Sequence, residues 1–122
     1  MKIPIYRAKK LGTENEYVEG FLKNCTDTGL DIFWIQSNEF IDYQIDTNTL
    51  SINFPNMVDI KGSKIFASLG ENGKGGDILF DMEYEYTLSF DGLKFNLQGL
   101  FSQPSFNEFD SWEEFDIIGI EE

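Results

Sequence analysis

Histidine is absent from this chain of 122 residues, and cysteine occurs once, as Cys25. Histidine is the commonest general base near neutral pH and the commonest metal ligand in proteins. With no histidine and one cysteine, zinc and copper sites are not expected, and we assign no catalytic, cofactor-binding or metal-ligating residue. A single cysteine also cannot form an internal disulfide, which fits a reducing cytoplasm.

Long apolar runs are missing as well. No stretch reaches the roughly 18 apolar residues that a membrane-spanning helix needs. The apolar start of the chain is too short for a signal peptide. A length of 122 residues predicts one domain over residues 1–122, which buries about two-thirds of its unfolded surface. We therefore expect a cytoplasmic protein without a membrane partner.

Basic residues are scarce, with 9 Lys and Arg against 22 Asp and Glu, giving a net charge of −13. Four of these bases lie in the first ten positions, whereas the segment from Ser105 onward has seven acids and no base. Such a surface repels phosphate backbones, so direct nucleic-acid binding is not expected. A basic protein is a suitable partner, and the alternative is that the charge only maintains solubility. The candidate partner-contact residues are Glu108, Asp110, Trp112, Glu113 and Glu114.

Apolar residues alternate with polar ones over residues 78–90, which predicts one long strand with a buried face and a solvated face. Asp91-Gly92 predicts a two-residue turn after it. In that register Phe90 pairs with Leu93, and Tyr84 pairs with Gly99. All predicted pairs then fall on the apolar face, so turn chemistry and apolar pattern agree.

Further strands are predicted at residues 2–7, 17–22, 30–37, 40–45, 49–54 and 116–120, with one helical turn near Trp112. A long strand cannot stay flat and is expected to wrap around a core. The predicted fold is mainly β, with at most one or two short helical turns. An SH3-like β-barrel occupies residues 59–122, and residues 1–58 form an N-terminal β extension.

No motif in the chain specifies a reaction. The glycine-rich segment at residues 70–76 lacks the spacing of a phosphate-binding loop, and no helix is predicted after it. Paired carboxylates such as Glu83 and Glu85 are expected by chance among 22 acids. We therefore predict that the protein is not an enzyme.

The order of short sequence blocks resembles the YopX family, small proteins found mainly in bacteriophages and prophages. The blocks share an aromatic-Arg-Ala opening, a Val-x-Gly strand, an Asp-x-x-Gly-x-x-Ile-Phe turn, a Gly-Asp-Ile start and a closing Ile-Gly strand. They lie at residues 6–8, 17–20, 59–66, 76–78 and 116–120. The resemblance implies a mostly β protein in the cytoplasm of an infected or lysogenic bacterium. It implies no activity and no list of functional residues.

The leading functional prediction is a non-enzymatic phage or prophage accessory protein that acts by protein–protein contact or self-association. Its partner would be a basic host or phage protein, or a second copy that pairs with an exposed edge strand at residues 2–7. The alternative is a small-molecule or glycan-binding module, or a weak carboxylate-dependent enzyme. In that alternative Trp34, Trp112 and nearby acids would surround the mouth of the barrel.

Overall fold

The computed structural model describes residues 3–25, 32–70, 73–99 and 112–122. Within these residues the chain forms ten β-strands in one sheet and two short 3₁₀ turns, at Thr47–Thr49 and Trp112–Glu114. The sheet curls into a half-barrel. The prediction of a mainly β, barrel-like fold with at most two helical turns is therefore confirmed.

The strands are numbered in chain order. They are β1 (Ile5–Lys9), β2 (Tyr17–Cys25), β3 (Ile32–Gln36), β4 (Asp42–Gln44), β5 (Ser51–Asn53), β6 (Ala67–Ser68), β7 (Asp77–Phe80), β8 (Glu85–Phe90), β9 (Phe95–Gly99) and β10 (Asp116–Ile120). β10 has the bounds predicted for the closing strand.

The first four strands form an antiparallel curl, in which β1 pairs with β2, β2 with β3 and β3 with β4. After β4, Ile45 pairs with Lys10 at the end of β1 in an antiparallel bridge, and this contact closes the curl. β5 then pairs with β1, with Ile5 opposite Asn53. We call β1 to β4 the N-terminal curl.

β1 therefore has a strand on each side, which corrects the prediction of an exposed edge strand near residues 2–7. Pro4 suggested an edge because proline cannot donate a ladder hydrogen bond. In the structure Pro4 precedes Ile5, the first residue of β1, so the ladder is complete without it. Residues 5–9 therefore cannot pair with a strand of a second copy.

The remaining strands continue the same sheet. β5 pairs with β6, and β6 meets β8 in a parallel contact between Ser68 and Ser89. β8 also pairs with β7 and β9, and β10 pairs with β7. The predicted boundary between an N-terminal extension and a barrel at residue 58 stays a prediction, and the sheet runs across it through β5 and β6.

The single long strand predicted for residues 78–90 is wrong, because the chain reverses in the middle of it. The Asp81 N–H donates to the Tyr84 carbonyl at 3.2 Å, and the Asp81 carboxylate accepts two backbone N–H groups of the turn. Met82, predicted to be in the core, has a φ of 76° and is 67 % exposed. β7 and β8 are therefore two arms of a hairpin.

This reversal also exchanges the faces of β7. Leu79 pairs with Tyr86, and both side chains are buried. Ile78 and Phe80, which were predicted to be the inward residues, are only half-buried. The apolar pattern did not indicate this because the next apolar positions resume on even numbers in β8, as if the strand had continued.

The β8–β9 hairpin has a four-residue connection at residues 91–94, which corrects the predicted two-residue turn. Phe90 pairs with Phe95 and not with Leu93. The Asp91 carboxylate accepts two N–H groups inside the loop, each at 2.9 Å, and so stabilises the longer connection. Because the register shifts by an even number, the predicted inward face of β8 is kept.

Two apolar cores pack against the sheet. The N-terminal core consists of buried side chains from β1, β2, β3 and the residue after β4: Ala8, Val18, Ile35 and Ile45. The C-terminal core is larger and consists of Ile52, Met57, Ile65, Ala67, Leu79, Tyr86, Leu88, Leu97 and Phe115. Tyr6 packs against both cores and connects them.

Candidate functional site

Two charged residues far apart in the sequence form a buried ion pair. Arg7 of β1 lies 2.8 Å from Asp77 of β7, and their side chains are 8 % and 1 % exposed. The same Arg7 nitrogen donates to the Gly75 carbonyl at 2.8 Å. The second Asp77 oxygen accepts the Phe66 N–H, also at 2.8 Å. The pair therefore ties the N-terminal curl to the C-terminal strands.

Aromatic rings enclose the guanidinium of Arg7. Its central carbon lies 4.4 Å from the ring centre of Phe66 and 5.6 Å from that of Tyr17, both within cation–π range. Burial raises the pKa of Asp77, and the charge of Arg7 opposes that shift. Because both Asp77 oxygens already accept hydrogen bonds inside the protein, we interpret this carboxylate as structural.

Asp59 has a comparable structural role at a turn. One carboxylate oxygen accepts the N–H groups of Lys61 and Ser63 at 2.9 and 2.8 Å, and the other accepts the Ile117 N–H of β10 at 3.2 Å. Burial acts to raise the pKa of Asp59, but these backbone donors and the charge of Lys61 outweigh it and lower the pKa. Asp59 thus fastens the turn to the closing strand.

Residues 73–76 of the glycine-rich segment precede β7 and pack closely against the sheet. A Cβ on Gly75 would lie 1.9 Å from the Thr49 carbonyl oxygen, so no side chain fits there. The Gly75 N–H donates to the Glu121 carbonyl at 2.8 Å, and the Gly76 N–H donates to the Gly73 carbonyl at 3.1 Å. These N–H groups are therefore not available to hold a phosphate.

Six carboxylates gather where β7 turns into β8 and where β10 begins. Phe80 pairs with both Glu85 and Asp116, which brings the two segments side by side. Lys61 lies 3.5 Å from Asp116. We call this surface the acidic end. Its carboxylates are Asp81, Glu83, Glu85, Glu113, Glu114 and Asp116.

Two large apolar side chains are exposed at the acidic end. Met82 lies at the tip of the β7–β8 turn and is 67 % exposed. Ile60 is 54 % exposed, and its N–H donates to the Phe115 carbonyl at 2.9 Å, next to the second 3₁₀ turn. Inside this end, burial and the carboxylate of Asp81 raise the pKa of Tyr86. The surface therefore combines negative charge with apolar area.

The predicted partner-contact residues have different positions. Glu108 and Asp110 lie outside the described residues. Glu113 and Glu114 are exposed on the second 3₁₀ turn and belong to the acidic end. Trp112 is half-buried, and its ring meets an aromatic ring of β9 edge-on, with 4.9 Å between ring centres. Trp112 therefore packs against the C-terminal core, whereas the two glutamates face solvent.

The two tryptophans of the alternative prediction, Trp34 and Trp112, lie in different parts of the structure. Trp34 on β3 lines a groove of about 350 Å³ together with Lys23, Asn24 and Asp42. Asp42 forms an exposed ion pair with Lys23 at 3.2 Å. Trp112 packs against β9, on another part of the sheet. The structure thus does not bring the two tryptophans into a common groove among the described residues.

Sequence reasoning missed the contacts of Arg7 with Asp77 and of Asp59 with Ile117. The first contact joins the sequence blocks at residues 6–8 and 76–78, and the second joins those at residues 59–66 and 116–120. The spacing within a block gives no sign of a contact between blocks. The one available signal was the presence of an arginine and an aspartate in blocks that otherwise contain apolar and glycine residues.

Within the described part of the chain, no group of three or more His, Cys, Asp or Glu side chains could hold a metal ion. None of the helical segments described is long and apolar enough to cross a membrane. No protein-family model, no curated protein and no solved structure matches the chain.

Proposed function

We propose that this chain is a non-enzymatic accessory protein of phage or prophage origin, similar to the YopX family. It acts in the bacterial cytoplasm by contact with a basic protein, and the acidic end is the contact surface. The main supporting observation is that six carboxylates from two chain segments lie together near two exposed apolar side chains.

The acidic end carries six carboxylates. Lys61 forms an ion pair there with Asp116 at 3.5 Å, and the Lys61 side chain is 71 % exposed. An excess of one charge attracts an oppositely charged partner and speeds the encounter. Met82 and Ile60 supply apolar area that a partner can cover, which supports a protein partner over a small ion.

The buried acids support a structural and not a catalytic use of carboxylates. A general base must reach the proton of a bound substrate. Asp77 is enclosed by Arg7 and the Phe66 N–H, and Asp59 is enclosed by three backbone donors. Both buried acids hold chain segments together, whereas Glu83, Glu113 and Glu114 are exposed at the acidic end.

Affinity capture from a bacterial lysate tests this proposal with three immobilised proteins. The first is the unchanged chain, and the second is Glu113→Gln/Glu114→Gln at the acidic end. The third is Leu93→Lys/Gln98→Lys, which changes the net charge by the same amount at exposed positions on and before β9. Each protein is loaded at low and at high salt.

The proposal expects basic proteins to be retained at low salt and released at high salt. The acidic-end variant should lose most of this retention, and the charge-matched control should keep it. Equal retention by both variants would show that the acidic end is not the contact surface. Retention that ignores salt would contradict an electrostatic contact altogether.

A further inference from the structure

One edge of β2 has no strand beside it over residues 17–19. The Lys10 N–H donates to the Glu16 carbonyl at 2.8 Å. Since hydrogen-bonded and non-hydrogen-bonded residue pairs alternate along an antiparallel ladder, this bond fixes which residues of β2 bond to β1. The backbone groups of Val18 therefore face β1. Those of Tyr17 and Glu19 face the other side, where β3 begins to pair only at Phe21.

The edge is open because the chain turns away from β2 at the end of β3, after Gln36. The Ser37 N–H donates to the Ile41 carbonyl at 2.9 Å, which closes a turn at the point where β3 would otherwise continue. Phe40 in this turn has a φ of 62°, a backbone conformation that residues other than glycine rarely adopt, and its side chain is 83 % exposed. Two N–H and two carbonyl groups of β2 thus have no strand partner among the described residues.

A groove of about 500 Å³ runs along this open edge. Its walls combine aromatic rings with amide and carboxylate groups, including Tyr17, Glu19, Phe21, Gln36, Asn38 and Tyr43. Phe21 is 53 % exposed. An added strand needs unpaired backbone groups for its main chain and concave space for alternate side chains. Both are present here.

Charge decides which strand fits. Glu19 and Glu39 are exposed on the walls of the groove, and Glu14 and Glu16 are exposed on the adjoining β1–β2 turn. Among the cations on the walls, the Lys10 ammonium lies 4.0 Å from the ring centre of Tyr43, and Lys64 is exposed. A second copy of the chain would bring its own acids against these, which opposes pairing between two copies.

We propose that this edge binds an extended peptide segment in which basic and apolar residues alternate, and that the segment adds to β2 as a new strand. Its backbone bonds to Tyr17 and Glu19. Its basic side chains lie on the face of the sheet that carries Glu19 and Phe21, and its apolar side chains lie on the opposite face, toward Tyr43. This surface is separate from the acidic end, which is built on β7, β8 and β10.

The test uses a fluorescent hexapeptide of alternating lysine and valine as the probe, with binding followed by polarisation. A matched peptide carries N-methyl groups on alternate residues, which removes the donors along one edge and keeps the charge. A third peptide replaces lysine by glutamate. The proposal expects binding of the first, a loss of about tenfold or more with N-methylation, and no binding of the third.

Variants of the chain locate the binding. Glu19→Pro removes an N–H that faces away from β1, so the β1–β2 ladder is kept while a partner bond is lost. Glu16→Gln/Glu19→Gln removes two charges and should weaken binding by about three- to tenfold. Leu93→Lys/Gln98→Lys changes the net charge equally and should leave the affinity unchanged, as should Glu113→Gln/Glu114→Gln.

Amide hydrogen exchange of the unchanged chain keeps the test independent of whether a variant folds. The N–H groups of Tyr17 and Glu19 should become protected in the presence of the lysine–valine probe. Exchange of these two amides that is unaffected by bound probe would overturn the proposal. So would equal affinity for the N-methylated peptide, or a dimer without probe in which the same amides are protected.

Discussion

Among the described residues, the N-terminal curl has a core of four buried apolar side chains, whereas the C-terminal core has nine. The C-terminal core is extended by edge-on aromatic contacts, such as Phe54 with Phe90 at 5.2 Å between ring centres. The curl relies more on polar and cation–π contacts, such as Lys10 over Tyr43. The smaller core therefore depends on its connections to the larger one.

Those connections are few and specific. β1 pairs with β5, Tyr6 packs against both cores, and Arg7 reaches Asp77. Arg7 and Asp77 lie 70 positions apart in the sequence, so this one buried pair joins segments from the two parts of the sheet.

The largest expected effect comes from breaking the buried ion pair between the two parts. Arg7→Met leaves Asp77 buried without its charged partner, which should lower the free energy of unfolding by about 3–5 kcal/mol. Urea denaturation measures this loss. Adding Asp77→Leu should recover a large part of it, because no unpaired charge remains. A double variant as unstable as the sum of both single variants would contradict a direct pairing.

Truncation inside each core should distinguish the two parts. Leu88→Ala and Ile35→Ala both remove a fully buried side chain, and each should cost about 2–5 kcal/mol. Hydrogen exchange should show that Ile35→Ala exposes amides of β2 and β3 while β8 stays protected, because the smaller core opens more easily. Equal loss of protection in β3 and β8 for both variants would mean that the two cores open as one.

The contribution of Asp59 to stability is predicted to depend on pH in the acid range. Its folded pKa is lowered, so the unfolded chain takes up the proton first as the pH falls. The stabilising contribution is therefore complete above the unfolded pKa and is lost as the pH drops through the folded pKa. Asp59→Asn should lower stability at pH 7 by about 1.5–3 kcal/mol and should reduce the pH dependence below pH ~4. A pH profile parallel to that of the unchanged chain would contradict this assignment.

The smallest effect is expected at a turn away from the connection between the cores. Gly92 has a φ of +96°, but nothing lies within 4 Å of the place where a Cβ would be added. Gly92→Ala should therefore cost only the left-handed backbone penalty of about 1–2 kcal/mol. Thermal unfolding checks this value. A much larger loss would contradict the solvent exposure of residues 91–94 in the β8–β9 loop.

The pattern of alternating apolar residues was sufficient to predict the fold class and the bounds of β10. It failed at residues 81–84, where the turn contains neither glycine nor proline and Met82 adopts the left-handed conformation instead. The loop after β8 was predicted too short because Asp91-Gly92 favours a two-residue turn, whereas the Asp91 carboxylate stabilises a longer one. Local sequence did not separate these outcomes.

The candidate surface could be predicted only in part. Glu113 and Glu114 are exposed on the second 3₁₀ turn, and their role as partner-contact residues stays a prediction. The contribution of Asp81, Glu83 and Glu85 to the same surface could not be predicted, because it depends on the pairing of β7 with both β8 and β10. Contacts between distant segments require the topology, which a local pattern does not contain.

Carbodiimide cross-linking of the complex captured at low salt tests the central claim most directly, because it joins carboxylates to partner lysines that already touch them. Mass spectrometry then identifies the linked positions. We expect links at Glu83, Glu113 and Glu114, and we expect them to disappear at high salt. Links confined to acids of the N-terminal curl, such as Asp42 or Glu39, would contradict the assignment of the acidic end as the contact surface.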